Sequence, residues 1–202
     1  MTVSIALCTF NGEKFLKEQL ESFTHQTKLP DELIICDDHS TDTTLQIVES
    51  FIQSAPFNVR LYVNESRMGS TKNFERAISL SKGDVIFLSD QDDWWHPEKI
   101  NTILDCFSPQ GKYGGVFSDA EIVDETLNYQ NRNLWESIGF DKIHAGILLE
   151  VIPSQCSLNT ILLPGRQWRS MRTLRTSFSR FLKSGFMMHG FPCYSLSLLI
   201  FV

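Results

Sequence analysis

The stretch VIFLSDQDDWW, residues 85–95, decides the fold. It opens on four consecutive apolar residues, short enough for a strand and continuous enough for one covered on both faces. It then runs, with no glycine or proline between, into Asp90, Gln91, Asp92 and Asp93. In an open parallel sheet, ligands bind beyond the carboxyl ends of the strands, so a buried strand ending in a polar cluster marks the sheet and its site together. Working outward, the arrangement recurs. Residues 3–8 form an apolar strand ending at Thr9, Phe10 and Asn11, and residues 32–36, after Pro30, form a second ending at Asp37 and Asp38. Residues 59–63 and 115–118 read as further strands. Helical faces lie between them: Phe15, Leu16, Leu20 and Phe23; then Leu45, Val48, Phe51 and Ile52 behind a Ser40 or Thr41 cap; then Phe74, Ala77 and Ile78; then residues 97–107. This alternation predicts an α/β fold with a doubly wound, mainly parallel sheet and helices on both faces.

With 202 residues the chain suits one domain, and 42% apolar with 21% charged residues is the composition of a globular protein. No apolar run reaches the roughly 20 residues of a membrane-spanning helix. The opening MTVSIALCTFNG lacks the basic segment of a secretory signal. The expectation is a cytoplasmic protein, working at the inner face of the plasma membrane if it meets lipid. Five scattered cysteines without a CxxC pair fit reduced thiols. The net charge of −6 speaks against a nucleic-acid partner. That charge is unevenly placed: residues 1–150 hold all 24 acids, whereas residues 151–202 hold six basic residues and no acid.

Three carboxylates within four residues (Asp90, Asp92, Asp93) repel one another, and keeping them ionised is costly unless a cation compensates. Oxygen-only ligation suits Mg²⁺ or Mn²⁺, which commonly bridge one or two carboxylates to a diphosphate. The alternative is a solvated acidic turn. Trp94 and Trp95 either wall a pocket beside the acids or are ordinary core. Asp37 and Asp38 either accept from a nucleobase or ribose, or cap the following helix. Lys72, at the start of the third helix, either faces a phosphate or is solvated. His39, His96 and His144 lack metal-ligand spacing. With no GxxxxGK[ST] and no GxGxxG after the first strand, the usual NTPase and NAD-dependent readings of such a sheet fall away. A nucleotidyltransferase would carry a Gly-rich basic loop near its N-terminus, and none is present.

The strings SIALCTFNG, LIICDDHSTDTT, NESRMGSTKNFERAISLSKGD, FLSDQDDWWHPEKI and VFSDAEIVDE, taken in order over roughly residues 2–145, resemble glycosyltransferase family 2 of the GT-A fold. They look most like rhamnosyltransferase-type members that build bacterial surface polysaccharides. The resemblance implies an inverting transferase with a nucleotide-diphospho-sugar donor (a UDP- or dTDP-sugar), a divalent metal, and a saccharide or lipid-linked acceptor. It implies that Thr9, Phe10 and Asn11 line the nucleotide pocket, Asp38 contacts the base and Lys72 lies near the diphosphate. Asp90 and Asp92 would hold ribose and metal, with Asp92 or Asp93 the direct metal ligand and Asp119 near the donor sugar or acceptor.

The family's catalytic base usually follows a Thr-Gly string in a His-Asp or Glu-Asp motif, and residues 151–202 contain no carboxylate at all. No base is therefore identified; Asp119 is the weak candidate, with Glu121 and Asp124 behind it. A shifted reading frame accounts for the loss. Read one base earlier, the degenerate codons of residues 163–168 permit Thr-Gly-Ala-Thr-Met-Ala, and those of residues 184–190 permit Glu-Trp-Ile-His-Asp-Ala-Trp. Residues 1–150 are thus read as the nucleotide-sugar-binding domain and 151–202 as a divergent or out-of-frame tail, with the break near residues 158–163. The alternatives are a non-catalytic product of an interrupted gene, and a genuine basic tail. In the latter, Arg166, Arg169, Arg172 and Arg175 stripe one helix and residues 196–202 touch anionic lipid.

Overall fold

A computed structural model describes residues 1–107, 113–124, 126–137, 150–151, 160–164 and 200–201. The elements in chain order are β1 (Val3–Thr9), α1 (Leu16–Thr24), β2 (Glu32–Asp37), α2 (Thr44–Ile52), β3 (Asn58–Val63), α3 (Ser70–Leu80), β4 (Val85–Ser89), α4 (Lys99–Asp105) and β5 (Tyr113–Ser118). They continue with β6 (Glu121–Val123), β7 (Tyr129–Asn133), α5 (Leu134–Ser137), β8 (Glu150–Val151), β9 (Thr160–Pro164) and β10 (Ile200–Phe201). Each strand and helix expected between residues 3 and 118 is present, within a few residues at its ends.

The main sheet has the order β3-β2-β1-β4-β10-β5-β9-β8. The first four strands pair parallel, with Cys8 level with Cys36 and Leu7 level with Ser89. β10 runs antiparallel to both β4 and β5, so β4 and β5 share one direction. β9 pairs antiparallel with β5, and β8 with β9. The sheet is mainly parallel, as expected, with antiparallel strands entering on the β5 side. The Arg166–Arg175 stripe and the His-Asp positions read in the shifted frame lie outside the described residues, as does His144, whereas the Thr-Gly positions, 163 and 164, fall at the end of β9.

The apolar strands are continuous because both faces are covered. On one face Ile5, Leu7, Leu33, Ile35, Val85 and Phe87 pack with Leu16, Leu20 and Phe23 of α1, Val48 of α2 and Ile100 and Ile103 of α4. On the other, Ala6, Cys8, Ile34, Cys36, Ile86 and Leu88 meet Phe74 and Ala77 of α3. The two-residue strand period deals alternate side chains to the two layers. The amino ends are tied by a polar network: the Glu32 carboxylate accepts from Ser4 Oγ (2.6 Å), Lys82 N (2.6 Å) and Arg60 Nη2 (2.6 Å). Burial raises the Glu32 pKa, but these partners outweigh it and hold the carboxyl below its ordinary value. Gly83 donates its N–H to Ser4 Oγ at 2.7 Å, and an added Cβ there would meet Ser4 N at 2.6 Å, so the strand pair admits only glycine.

The chain builds outward from β1 to β2 and β3, then returns to place β4 on the other flank of β1. The topological switch point therefore lies between the carboxyl ends of β1 and β4, where such sheets bind ligands.

Candidate functional site

At this edge Thr9–Asn11 leave β1, Asp38 follows β2, Asn64 follows β3 and Asp90 follows β4. Backbone bonds hold them together: Asp38 N donates to the Thr9 carbonyl at 2.8 Å and Asn64 N to the Asp37 carbonyl at 2.8 Å.

The acids after β2 are tied into the fold. Asp37 is fully buried and accepts from Thr9 Oγ1 (2.7 Å), Ser40 N (2.8 Å) and Ser40 Oγ (2.6 Å). Asp38, also buried, accepts from Asn64 Nδ2 (2.8 Å), Met68 N (2.6 Å) and Gly69 N (2.8 Å). Burial pushes the Asp38 carboxyl up, but the Met68, Asn64 and Gly69 hydrogen bonds and the Arg67 charge prevail and set it below the ordinary value. Gly69 has φ 85°, a left-handed conformation that costs glycine little, and it leads into α3. Asp38 thus supplies the anchor for the α3 entrance that no local side chain provides.

Asn11, at φ 48°, donates its N–H to Ser40 Oγ (2.9 Å) and accepts Thr41 N on Oδ1 (2.9 Å). Both amide groups of Phe10 are held by Gln91: Phe10 N donates to Gln91 Oε1 at 2.8 Å, and Gln91 Nε2 donates to Phe10 O at 3.1 Å. This bridge fastens the β1 loop to the acid loop across the switch point. Gly12 lies against it, since a Cβ there would meet Gln91 Oε1 at 2.4 Å. From α1, the buried Gln19 donates Nε2 to Ser89 Oγ at 3.0 Å, and Ser89 Oγ donates to the Asp90 carbonyl at 2.9 Å.

The loop after β4 is unlike the β2 end. Asp90 and Asp93 are half-buried and Asp92 reaches solvent, yet its carboxyl sits among enough protein atoms to be desolvated. Desolvation first, and the Asp93 charge second, push Asp92 up to about 6. Lys99, on α4, is pushed down to about 8 by desolvation, opposed by Asp93, and its ammonium lies 4.4 Å from the Trp95 ring centroid. The two tryptophans part company. Trp95 is core, edge-on to Phe23 at 4.8 Å and tilted against Phe87 at 5.7 Å, whereas Trp94 is 48% exposed beside the acids.

Lys72 is exposed on the first turn of α3, next to the loop that Asp38 holds. Asp119 follows β5 at the same edge. Ile200 pairs with both Phe87 and Val116, so Asp90 and Asp119, each three residues further on, stand level. Two strand spacings separate them, roughly 10 Å. Asp119 accepts from Ala120 N at 2.8 Å and from Asn133 Nδ2 at 3.2 Å. Glu121 is exposed on β6. Asp124 closes the β6–β7 turn, and hydrogen bonds from Asn128 N and from Thr126 Oγ1 and N hold its carboxyl at about 2. Sequence reasoning missed Gln19, Asn64, Arg67 and Gln91; of these, only Gln91 carried a signal, its place inside the acid run.

Residues 4–165 match the model of glycosyl transferase family 2, and the chain belongs to that family. It is 39% identical over 104 residues to a dTDP-rhamnosyl transferase, RfbG, of Shigella flexneri, across 50% of this chain and 36% of that protein. It is 28% identical over 147 residues to the chondroitin synthase of Escherichia coli, across 72% of this chain and 21% of the synthase. Among solved structures it is similar to S. aureus TarS 1-349 in complex with UDP-GlcNAc, at 28% identity and TM-score 0.50, covering 57% of this chain and 33% of that one. The mannosyltransferase PcManGT from Pyrobaculum calidifontis, in complex with GDP-Man and Mn²⁺, shares the fold at TM-score 0.51 and 22% identity, over 56% of this chain and 34% of its own. The sheet is thus of the GT-A type, and the chain spans about a third or less of the length of these relatives.

Proposed function

We propose that this chain is the donor-binding part of an inverting glycosyltransferase that moves a sugar from a nucleotide-diphospho-sugar to a hydroxyl of a saccharide or lipid-linked acceptor. One observation carries the reading: β1, β2, β4 and β5 deliver Thr9–Asn11, Asp38, Asp90–Asp93 and Asp119 to one edge of the sheet, around its switch point. A UDP- or dTDP-sugar is the donor class supported by the relatives, one named for dTDP-rhamnosyl transfer and one solved with UDP-GlcNAc.

Among the described residues no three His, Cys, Asp or Glu side chains gather to hold a metal alone. Asp92 and Asp93 offer hard oxygen donors, and their mutual repulsion favours a cation between them. This fits Mg²⁺ or Mn²⁺ held by one or two carboxylates and completed by diphosphate oxygens, not an all-protein cage. Such an ion would supply charge neutralisation for the leaving diphosphate. The chain's own residues do the rest of what is proposed. Gln91 and Gln19 fix the height of the acid loop, and Asp38 fixes the loop that carries Arg67 and leads to Lys72.

Asp119 is the candidate for the base that takes the acceptor proton, and hydrogen bonds from Ala120 N and Asn133 Nδ2 orient it. Asp124 is the weaker candidate, because hydrogen bonds from Asn128 and Thr126 engage its carboxylate in the β6–β7 turn and hold it at about 2, below the neutral range that suits a general base. A second reading, a donor-binding but non-catalytic product of an interrupted gene, is favoured by the absence of any Asp or Glu in residues 151–202. Among the described residues no helix is long and apolar enough to cross a membrane, and a cytoplasmic site of action is part of the proposal.

Release of sugar from UDP- and dTDP-sugars, with and without a membrane and saccharide extract as acceptor, tests the function. Turnover abolished in Asp92→Ala supports it, and Mn²⁺-insensitive turnover equal in that variant contradicts it. Resequencing codons 155–202 separates the two readings: an open earlier frame encoding the Thr-Gly and His-Asp strings supports the interrupted gene, and an early stop in that frame rejects it.

A further inference from the structure

We infer that Lys99 is the built-in counter-cation of the acid loop: through Asp93 it positions the loop without a metal and limits how strongly the loop draws one. The second half rests on the metal-assisted reading above. Lys99 opens α4, six residues after Asp93. A lysine on the first turn of a helix is disfavoured by the helix dipole, so its place there is set by tertiary surroundings. Lys99 as a whole is half-buried, but its ammonium is desolvated, and Asp93 is the loop acid whose charge acts on it. That ammonium lies 4.4 Å from the centroid of the Trp95 ring, within the range of a cation–π contact.

The seat of the ammonium is rigid. Trp95 is buried, with Phe23 edge-on at 4.8 Å and Phe87 tilted at 5.7 Å. The turn between Trp95 and α4 is sewn to the end of α1. Gln26 Nε2 donates to His96 O at 2.9 Å, Ile100 N donates to Gln26 Oε1 at 3.2 Å, and Thr27 N donates to Pro97 O at 3.0 Å. Packing and amide bonds that do not involve the acids therefore deliver the charge to them. A desolvated ammonium is costly without an anion, and Asp93 supplies one. Asp93 is also the group whose charge bears on Asp92, so the charges run Lys99, Asp93, Asp92. One positive charge at the end of that row offsets part of the repulsion along it. A divalent ion arriving at Asp92 then meets a loop already partly neutralised, and it is held firmly only with diphosphate oxygens beside it. Direct contact of Lys99 with a phosphate is the less favoured arrangement, because its ammonium is desolvated against Trp95.

Thermal melting in EDTA and calorimetric titration with Mn²⁺ alone test the inference on the full chain. The proteins are the wild type, Lys99→Met, Lys99→Arg, Asp93→Asn and the double variant Asp93→Asn/Lys99→Met. Lys99→Met keeps an apolar stem on Trp95 and removes the charge, and it should melt about 3–8 °C lower, the cost of an acid left without its partner. The double variant should regain most of that loss. Lys99→Met should also bind Mn²⁺ at least about threefold more tightly than the wild type, because a like charge is gone from beside the ion. Lys99→Arg keeps the charge and should keep the wild-type Mn²⁺ affinity, a readout that a packing role would not separate from Lys99→Met. If Lys99→Met costs as much beside Asp93→Asn as it does alone, Lys99 serves packing only and the inference falls, with Mn²⁺ binding by the wild type untouched. Unchanged Mn²⁺ affinity in Lys99→Met would overturn its hold on the metal. A wild type that binds Mn²⁺ neither alone nor with UDP would sink the metal reading above, and the second half of the inference with it.

Discussion

Two acidic pairs stand at the carboxyl edge of one sheet and are used in opposite ways. After β2, Asp37 and Asp38 are buried and saturated by three hydrogen bonds each, and Asp38 sits below its ordinary pKa. After β4, Asp92 is crowded by desolvation and by Asp93 and sits at about 6. The first pair is part of the scaffold; the second carries repulsion that a ligand can relieve. A count of acids at strand ends does not distinguish them, because the difference lies in which N–H and O–H donors the neighbouring loops bring.

That contrast breaks if the two pairs respond alike to mutation. Asp92→Ala should cut donor turnover by at least about 100-fold, the few kcal/mol that a metal's charge stabilisation contributes. It should do so without lowering the melting temperature, as read by circular dichroism. Asp37→Ala should do the reverse in kind: it strands the Thr9 and Ser40 donors in the interior and costs roughly 2–4 kcal/mol. For a chain of this size that is a melting temperature lower by about 5–15 °C. If Asp37→Ala melts like the wild type, the scaffold assignment is wrong. Gly12→Ala should have a smaller effect, roughly 1–2 kcal/mol, because its Cβ displaces Gln91 from Phe10. Its sharper signature is a weakened donor affinity, since the bridge to the acid loop is lost.

The pH dependences should have opposite signs. Asp38, with a folded pKa below the unfolded one, stabilises the chain above the ordinary carboxyl value of 3.8 and loses that contribution as pH falls. Asp92, with a folded pKa of about 6, destabilises the metal-free chain at neutral pH, and the cost fades as pH falls through 6 and vanishes below about 4. Solvent screens Asp92, so Asp92→Asn should raise the melting temperature at pH 7.5 by only about 1–2 °C, and not at all at pH 3.5. Asp38→Asn should lower it at pH 7.5.

The layered sheet was legible because β1, β2 and β4 each carry an apolar run of four residues (5–8, 33–36 and 85–88) and α1 to α4 carry clear apolar faces. The β6–β7 hairpin was not. Its strands, EIV and YQNRN, are polar and exposed, and no apolar alternation marks them. Trp94 and Trp95 looked alike in sequence and differ in space because the packing of Phe23 and Phe87 receives only one of them. The acid loop was readable from its charge density. The amides that position it, Gln19 and Gln91, were not, since a neutral amide acquires its role only when the fold brings a partner 70 or more residues away in sequence within 3.1 Å. Asp38 was read as a base contact, and the structure adds a second duty, anchoring the entrance to α3.

On the proposed function, the edge around β1 and β4 binds a nucleoside diphosphate together with a divalent metal. Calorimetric titration of UDP and dTDP into the wild type and Asp92→Ala, each with Mn²⁺ and with EDTA, tests it most directly. The wild type should bind in Mn²⁺ and weaken at least about tenfold in EDTA, and the Asp92→Ala variant should be insensitive to the metal. Affinity that is the same with and without Mn²⁺ in both proteins, or no binding of either diphosphate, would contradict it.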